Sequence, residues 1–165
     1  MVVLFWIVLS CVLIYVISWI LNYISYSYLK NKIIIRQKWD LNVCCGETDG
    51  GGINVDIVAH AKVPNMVIAD VYHLPFKAGV FKSVLSSHTA EHLEKPATFY
   101  RELKRVGQEV TILIPPLWDI SAVVNLLEHR WIFLGFHTEY KFLPKYIKLP
   151  FSASLHKLIG QKIAA

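Results

Sequence analysis

From Met1 to Leu29 the chain carries no charged residue, and apolar side chains fill almost every place up to Leu21. The run exceeds the roughly 20 residues that a helix needs to cross a bilayer core. Trp19, Tyr23, Tyr26 and Tyr28 stand near its end, where interfacial aromatics gather. A cleaved leader would show a charged start, a shorter apolar run and a small-residue cleavage site, and this stretch has none of these. The pattern predicts a transmembrane anchor over residues 1–29.

Residues 30–38 are basic and predict a juxtamembrane linker. The pattern then alternates. Short apolar runs at Leu41–Cys44, Asn54–Ala59, Met66–Ala69, Val80–Ser86 and Glu109–Ile114 read as strands. Pro96–Val106 reads as a helix: Pro96 suits a first turn, and Phe99, Leu103 and Val106 share one face. Short strands between longer connections predict an α/β layered sheet over a domain of residues 39–165. Past Pro116, residues 120–127 predict a helix. The aromatic stretch around Pro144 predicts an antiparallel terminal hairpin, and residues 154–163 an amphipathic tail.

Composition adds orientation and compartment. With 165 residues, 55% of them hydrophobic, the chain suits an anchor and one domain. The net charge of +5 falls after the apolar run, with Lys30, Lys32, Arg36 and Lys38 directly behind it. The positive-inside rule predicts a single-pass membrane protein with a cytoplasmic C-terminal domain, held near anionic lipid. The charge is too diffuse for a nucleic-acid partner. Three cysteines, two of them adjacent at Cys44 and Cys45, fit neither a disulfide framework nor a zinc motif, so no metal is predicted.

The candidate chemistry lies at strand ends. Ligands of open α/β sheets bind outside the carboxyl ends of the strands. Cys44, Cys45 and Gly46 follow the first strand, and Gly46 with Gly50–Gly52 would let backbone approach a ligand closely. Asp56 could accept from a ribose diol, and Asp70, beside Val71, from an adenine amino group. No G-x-G-x-x-G and no Gly-Lys-Ser/Thr occurs, which disfavours dinucleotides, nicotinamide chemistry and P-loop nucleotides.

LNVCCG, then ETDGGG, then INVDI resembles motif one of the class I S-adenosylmethionine-dependent methyltransferases, in the small type 11 group. The likeness continues through IADVYHLPF, SSHTAEHL, FYRELKRVG and EVTILIPP, and covers roughly residues 39–135. It implies a Rossmann-like three-layer sandwich with a mostly parallel sheet, and S-adenosyl-L-methionine as cofactor. By resemblance, Asn42, Cys44, Cys45 and Gly46 would face the methionine part of the cofactor. Asp56 and Ile57 would hold the ribose, Asp70 and Val71 the adenine, and Ser87 would border the methyl. His88 and His92 would be the catalytic candidates. Glu91, His129 and Arg130 would meet the substrate.

The chain departs from the pattern at Cys44 for the first glycine, Asn42 for an acid, Lys82 for an aspartate, and a lone Gly107 for a pair. The expected function is methyl transfer to a small or lipid-linked acceptor. The alternative is a non-catalytic, membrane-anchored relative that binds a cofactor or a partner. The acceptor and the oligomeric state are not legible.

Overall fold

A computed structural model describes residues 1–160; Gln161–Ile163 of the expected amphipathic tail lie outside them. α1 (Val2–Asn22) has no buried residue. Its helical hydrogen bonding runs on without a break through a π-helical segment (Tyr23–Leu29) into α2 (Lys30–Ile34). The basic stretch therefore begins as helix and leaves it only after Ile34. This continuous rod of 33 residues is the one helix, among the described residues, that is long and apolar enough to cross a membrane.

The strands are β1 (Leu41–Val43), β2 (Ile53–Asp56), β3 (Met66–Ile68), β4 (Phe81–Ser87), β5 (Gly107–Leu113) and β7 (Glu139–Tyr140). They form one sheet in the order β3-β2-β1-β4-β5-β7. The first five are parallel, and β7 runs antiparallel to β5. The direction of winding reverses between β1 and β4, so their carboxyl ends meet at the switch point where such sheets bind ligands. This is a Rossmann-like, mostly parallel architecture. β6 (Trp131–Phe133) pairs with β8 (Tyr146–Lys148) as a separate antiparallel ribbon. The expected terminal hairpin is thus present, and β7 leaves its connection to extend the main sheet.

Alternation along the strands builds two cores. Val84, Val110 and Ile112 face α3 (Pro96–Val106), which buries Phe99, Leu103 and Val106 against them. Leu85 and Leu113, one residue out of phase, turn to the other face and pack with Ile34 and Trp39. The helix that carries the apolar span thereby closes the second face. Trp39 adds a hydrogen bond from its indole N–H to the Ile34 carbonyl at 2.9 Å. Each such fully buried apolar side chain contributes about 1.5–3 kcal/mol.

The glycine run is explained by packing. A Cβ on Gly50 would stand 2.6 Å from the Asn42 Cβ, and one on Gly52 would stand 2.3 Å from the Trp39 carbonyl oxygen. These glycines let the returning loop press against β1. They do not line the ligand cavity, which corrects the expectation that they approach the ligand. Gly46 does, with φ +52 and open space where its Cβ would be.

Residues 120–127 do not form one helix. α4 (Ile120–Val123) is a single turn, capped by the Asp119 side chain, which accepts from the Ala122 N–H. α5 (Ser152–Ile159) is the described part of the expected tail.

Candidate active site

A cavity of about 950 Å³ opens at the switch point. That size is ordinary for a small-molecule site, about 300–1,000 Å³. Its floor is the carboxyl end of β1, where the chain turns sharply. Cys44 has φ 56 and Gly46 φ 52. A side chain costs roughly 1 kcal/mol or more in that region, which is why glycine suits it. Burial pushes the Cys44 thiol pKa upward and that of Cys45 up to about 11, so both are thiols at neutral pH. Neither is a thiolate nucleophile.

Asp56 closes β2 and ties the two loops together. One oxygen accepts from the Gly46 N–H at 2.9 Å, the other from Ile57 N–H at 2.7 Å. Asp56 and Ile57 both line the cavity. Asn42 is buried, and its amide donates to the Thr48 carbonyl at 2.9 Å and to Asn54 Oδ1 at 3.2 Å. It pins the loop that carries Gly46. Asp70 accepts from Tyr72 N–H and faces His73 Nδ1, each at 2.9 Å. These contacts hold its pKa below the usual carboxylate range. Val71 beside it is buried, and both residues line the cavity.

The far wall belongs to the loop after β4 and to residues 128–130. Ser87 Oγ lies 3.2 Å from His88 Nδ1. His88 has φ 51, with its ring edge-on to Tyr26 at 5.0 Å between centroids. Burial first, then the charges of Lys30, His129 and His92, pull its pKa down to about 3. It is neutral at pH 7 and a weaker base than an ordinary imidazole. His92 Nδ1 lies 2.9 Å from the Glu128 carbonyl, which must accept from it; the lone pair is therefore on Nε2. The Glu91 carbonyl accepts from the Arg130 N–H at 2.7 Å, and this tether brings the two segments together. All fourteen residues expected from the sequence, among them Glu91, His129 and Arg130, line this one cavity.

Sequence reasoning missed the roof. Asn22, Tyr26, Lys30 and Ile34 also line the cavity, and they come from the helix that carries the apolar span. Asp119, fully buried, anchors it by accepting from Asn22 Nδ2 at 3.2 Å and from the Ser25 hydroxyl. A polar pair, Asn22 and Ser25, ending a charge-free run was the available signal.

Residues 47–114 match a family model described as a methyltransferase domain. A crystal structure of a SAM dependent methyltransferase from Aquifex aeolicus is 14% identical with a TM-score of 0.40, covering 59% of this chain and 74% of that one. The crystal structure of PH0226 protein from Pyrococcus horikoshii OT3 is 16% identical with a TM-score of 0.46, covering 83% and 80% respectively. No curated protein matches the chain. The residues of the cavity fit the cofactor that the sequence resemblance implies, S-adenosylmethionine. The Gly46 backbone is open toward the ligand, and carboxylates stand after β2 and β3 where ribose and adenine need acceptors.

Proposed function

We propose that the chain is an active S-adenosylmethionine-dependent methyltransferase, held at a membrane by α1, that acts on a small or lipid-linked acceptor arriving at the membrane surface. One observation carries this reading: the helix long enough to span a bilayer is the helix that roofs the cavity. If Val2–Leu21 fills the hydrocarbon core, Tyr26 stands about 6–8 Å beyond it along the axis. An acceptor anchored in lipid then needs little excursion from the bilayer. Tyr23 and Tyr28, both exposed, suit the interface, and Lys30 stacks its ammonium 3.8 Å over the Tyr26 ring. The basic residues behind the span favour a cytoplasmic domain.

Bound S-adenosylmethionine supplies an electrophilic methyl group on sulfur. The protein's task is then mainly alignment, which is where large rate factors arise without a covalent intermediate. Asp56 and Ile57 serve the ribose, Asp70 and Val71 the adenine, and Asn42 holds the loop of Cys44, Cys45 and Gly46 in place. His92, with its lone pair on Nε2, is the better base for an acceptor proton. His88, neutral and edge-on to Tyr26, shapes the apolar side of the site. Glu91, His129 and Arg130 face the acceptor end.

Cys44 in a glycine conformation and the weak basicity of His88 favour a second reading, a non-catalytic relative that binds the cofactor or a partner. Calorimetric titration of the full chain in detergent micelles with S-adenosylmethionine and S-adenosylhomocysteine, beside Asp56→Ala, separates the two when followed by a labelled-methyl assay on lipid extract. Micromolar binding lost in Asp56→Ala, with label entering lipid, is the expected result. Binding without transfer supports the second reading. A folded chain that binds neither compound overturns both cofactor roles.

A further inference from the structure

We propose that Glu91, His92 and His129 form a binding site for a divalent transition-metal ion at the acceptor end of the cavity. One ligand atom from each residue lies within 4.8 Å of the others, and all three line the same cavity. Glu91 is 1% exposed, and neither of its carboxylate oxygens has a hydrogen-bond partner. A buried carboxylate left in that state costs several kcal/mol, or gives up its charge, unless a cation arrives.

The imidazoles are held as metal ligands are. Oriented ligating histidines use their second ring nitrogen on a carbonyl or carboxylate. His92 Nδ1 bonds the Glu128 carbonyl at 2.9 Å, and His129 hydrogen-bonds the Val123 backbone. The two rings lie 4.8 Å apart between centroids, nearly perpendicular. The backbone bonds from Arg130 and Trp131 to the Glu91 carbonyl, at 2.7 and 3.3 Å, fix the two segments against each other.

Two imidazoles and one carboxylate suit zinc, cobalt or ferrous iron; magnesium and calcium favour oxygen alone. Bonds of about 2.0–2.2 Å in tetrahedral geometry put ligand atoms roughly 3.3 Å apart. The three side chains must therefore close by up to ~1.5 Å on binding. Three protein ligands leave one position open, the arrangement of catalytic sites. It would face the cavity. Metal binding does not depend on the methyl-transfer reading; any role toward an acceptor oxygen does, and with the ion bound the His92 Nε2 lone pair is engaged, so the ion takes over from His92 the task of activating the acceptor.

The test is titration of the chelator-stripped full chain in detergent micelles with Co²⁺, followed by visible absorption and then displacement by Zn²⁺. One equivalent should bind with d–d bands of a low-coordinate site and raise the melting temperature. Glu91→Gln and His129→Gln should each weaken binding about 100-fold, and His137→Gln, at an exposed histidine, should leave it unchanged. Circular dichroism in chelator identifies any variant that fails to fold; His92→Gln, at a half-buried position, then takes its place. Absence of stoichiometric Co²⁺ binding by the wild-type chain overturns the proposal. So does binding that persists undiminished in folded variants of the three ligands.

Discussion

The Asn22 side-chain amide donates to the Asp119 carboxylate at 3.2 Å across 97 residues of sequence. The same carboxylate accepts from the Ser25 hydroxyl and caps α4 through the Ala122 N–H at 3.2 Å. One buried acid thus fixes the end of the apolar helix, the roof of the cavity and the first turn of the segment leading to His129. The π-helical register of Tyr23–Leu29 turns Ser25 inward toward this acid while Tyr26 covers His88. Wide helical turns of this kind recur at functional sites.

Asp119→Ala should therefore cost about 3 kcal/mol, since it leaves buried donors without their charged acceptor. Asp119→Asn should cost less, because it keeps one acceptor. Thermal unfolding in micelles measures the loss. Limited proteolysis near residues 35–38 measures release of the helix. An Asp119→Ala variant as stable and as protected as the parent contradicts the anchoring role.

Cys44 tests the strain at the end of β1. A β-branched side chain is far less tolerant of φ 56 than cysteine is. Cys44→Val should destabilise the domain by about 2 kcal/mol, while Cys44→Gly, which removes the strain and some packing, should stay within about 1 kcal/mol of the parent. Equal melting temperatures for the two variants would refute this account.

Local signals made α3 legible to the residue, because Pro96 starts it and Phe99, Leu103 and Val106 mark its buried face. The strands were found within a few residues for the same reason. β5 begins at Gly107, earlier than expected, because Gly107 pairs with Phe81 of β4, and glycine is needed there since a Cβ would stand 2.3 Å from Val84 Cγ2. That contact comes from the neighbouring strand and leaves no trace in the local pattern. Residues 120–127 carry a helical pattern, yet the helix stops at Val123. The backbone beyond it is drawn to Glu91, a residue 39 positions from Arg130 in the sequence. The cluster of Asn42, Cys44, Cys45, Gly46 and Asp56 at one end of the cavity was legible because these residues lie close together in the sequence. The Glu91-His92-His129 cluster and the roof depend on pairings across the chain that no spacing rule encodes.

Asp56 separates loop support from cofactor binding. Asp56→Asn keeps an acceptor for Gly46 N–H and should leave the melting temperature within a few degrees. On the proposed reading it also removes the charge on bonds worth about 1.5–3 kcal/mol each to a ribose hydroxyl, so affinity for S-adenosylhomocysteine should fall roughly 10- to 100-fold. Calorimetry reads this directly. Undiminished affinity would restrict Asp56 to the turn.

Glu102 supplies a pH signature away from the cavity. Its carboxylate accepts from Arg105 Nε at 2.8 Å and from the Leu74 N–H at 2.8 Å, and Arg105 in turn holds the Phe76 and Leu74 carbonyls. The network fastens the loop after β3 to α3. The Arg105 hydrogen bonds, opposed by burial, hold the Glu102 pKa below its ordinary value of 4.5. A folded-state pKa below the unfolded one adds stability above the unfolded value, and that stability is lost as pH falls through the folded value. Glu102→Gln should therefore cost about 1–2 kcal/mol near pH 7, after allowance for solvent around the partly exposed Arg105. The gap between parent and variant should stay constant down to about pH 5 and shrink below pH 4. Denaturant titrations across that range, with both proteins in the same micelles, measure it. A gap that is flat across the whole range would mean that the ionised carboxylate contributes nothing to holding the loop.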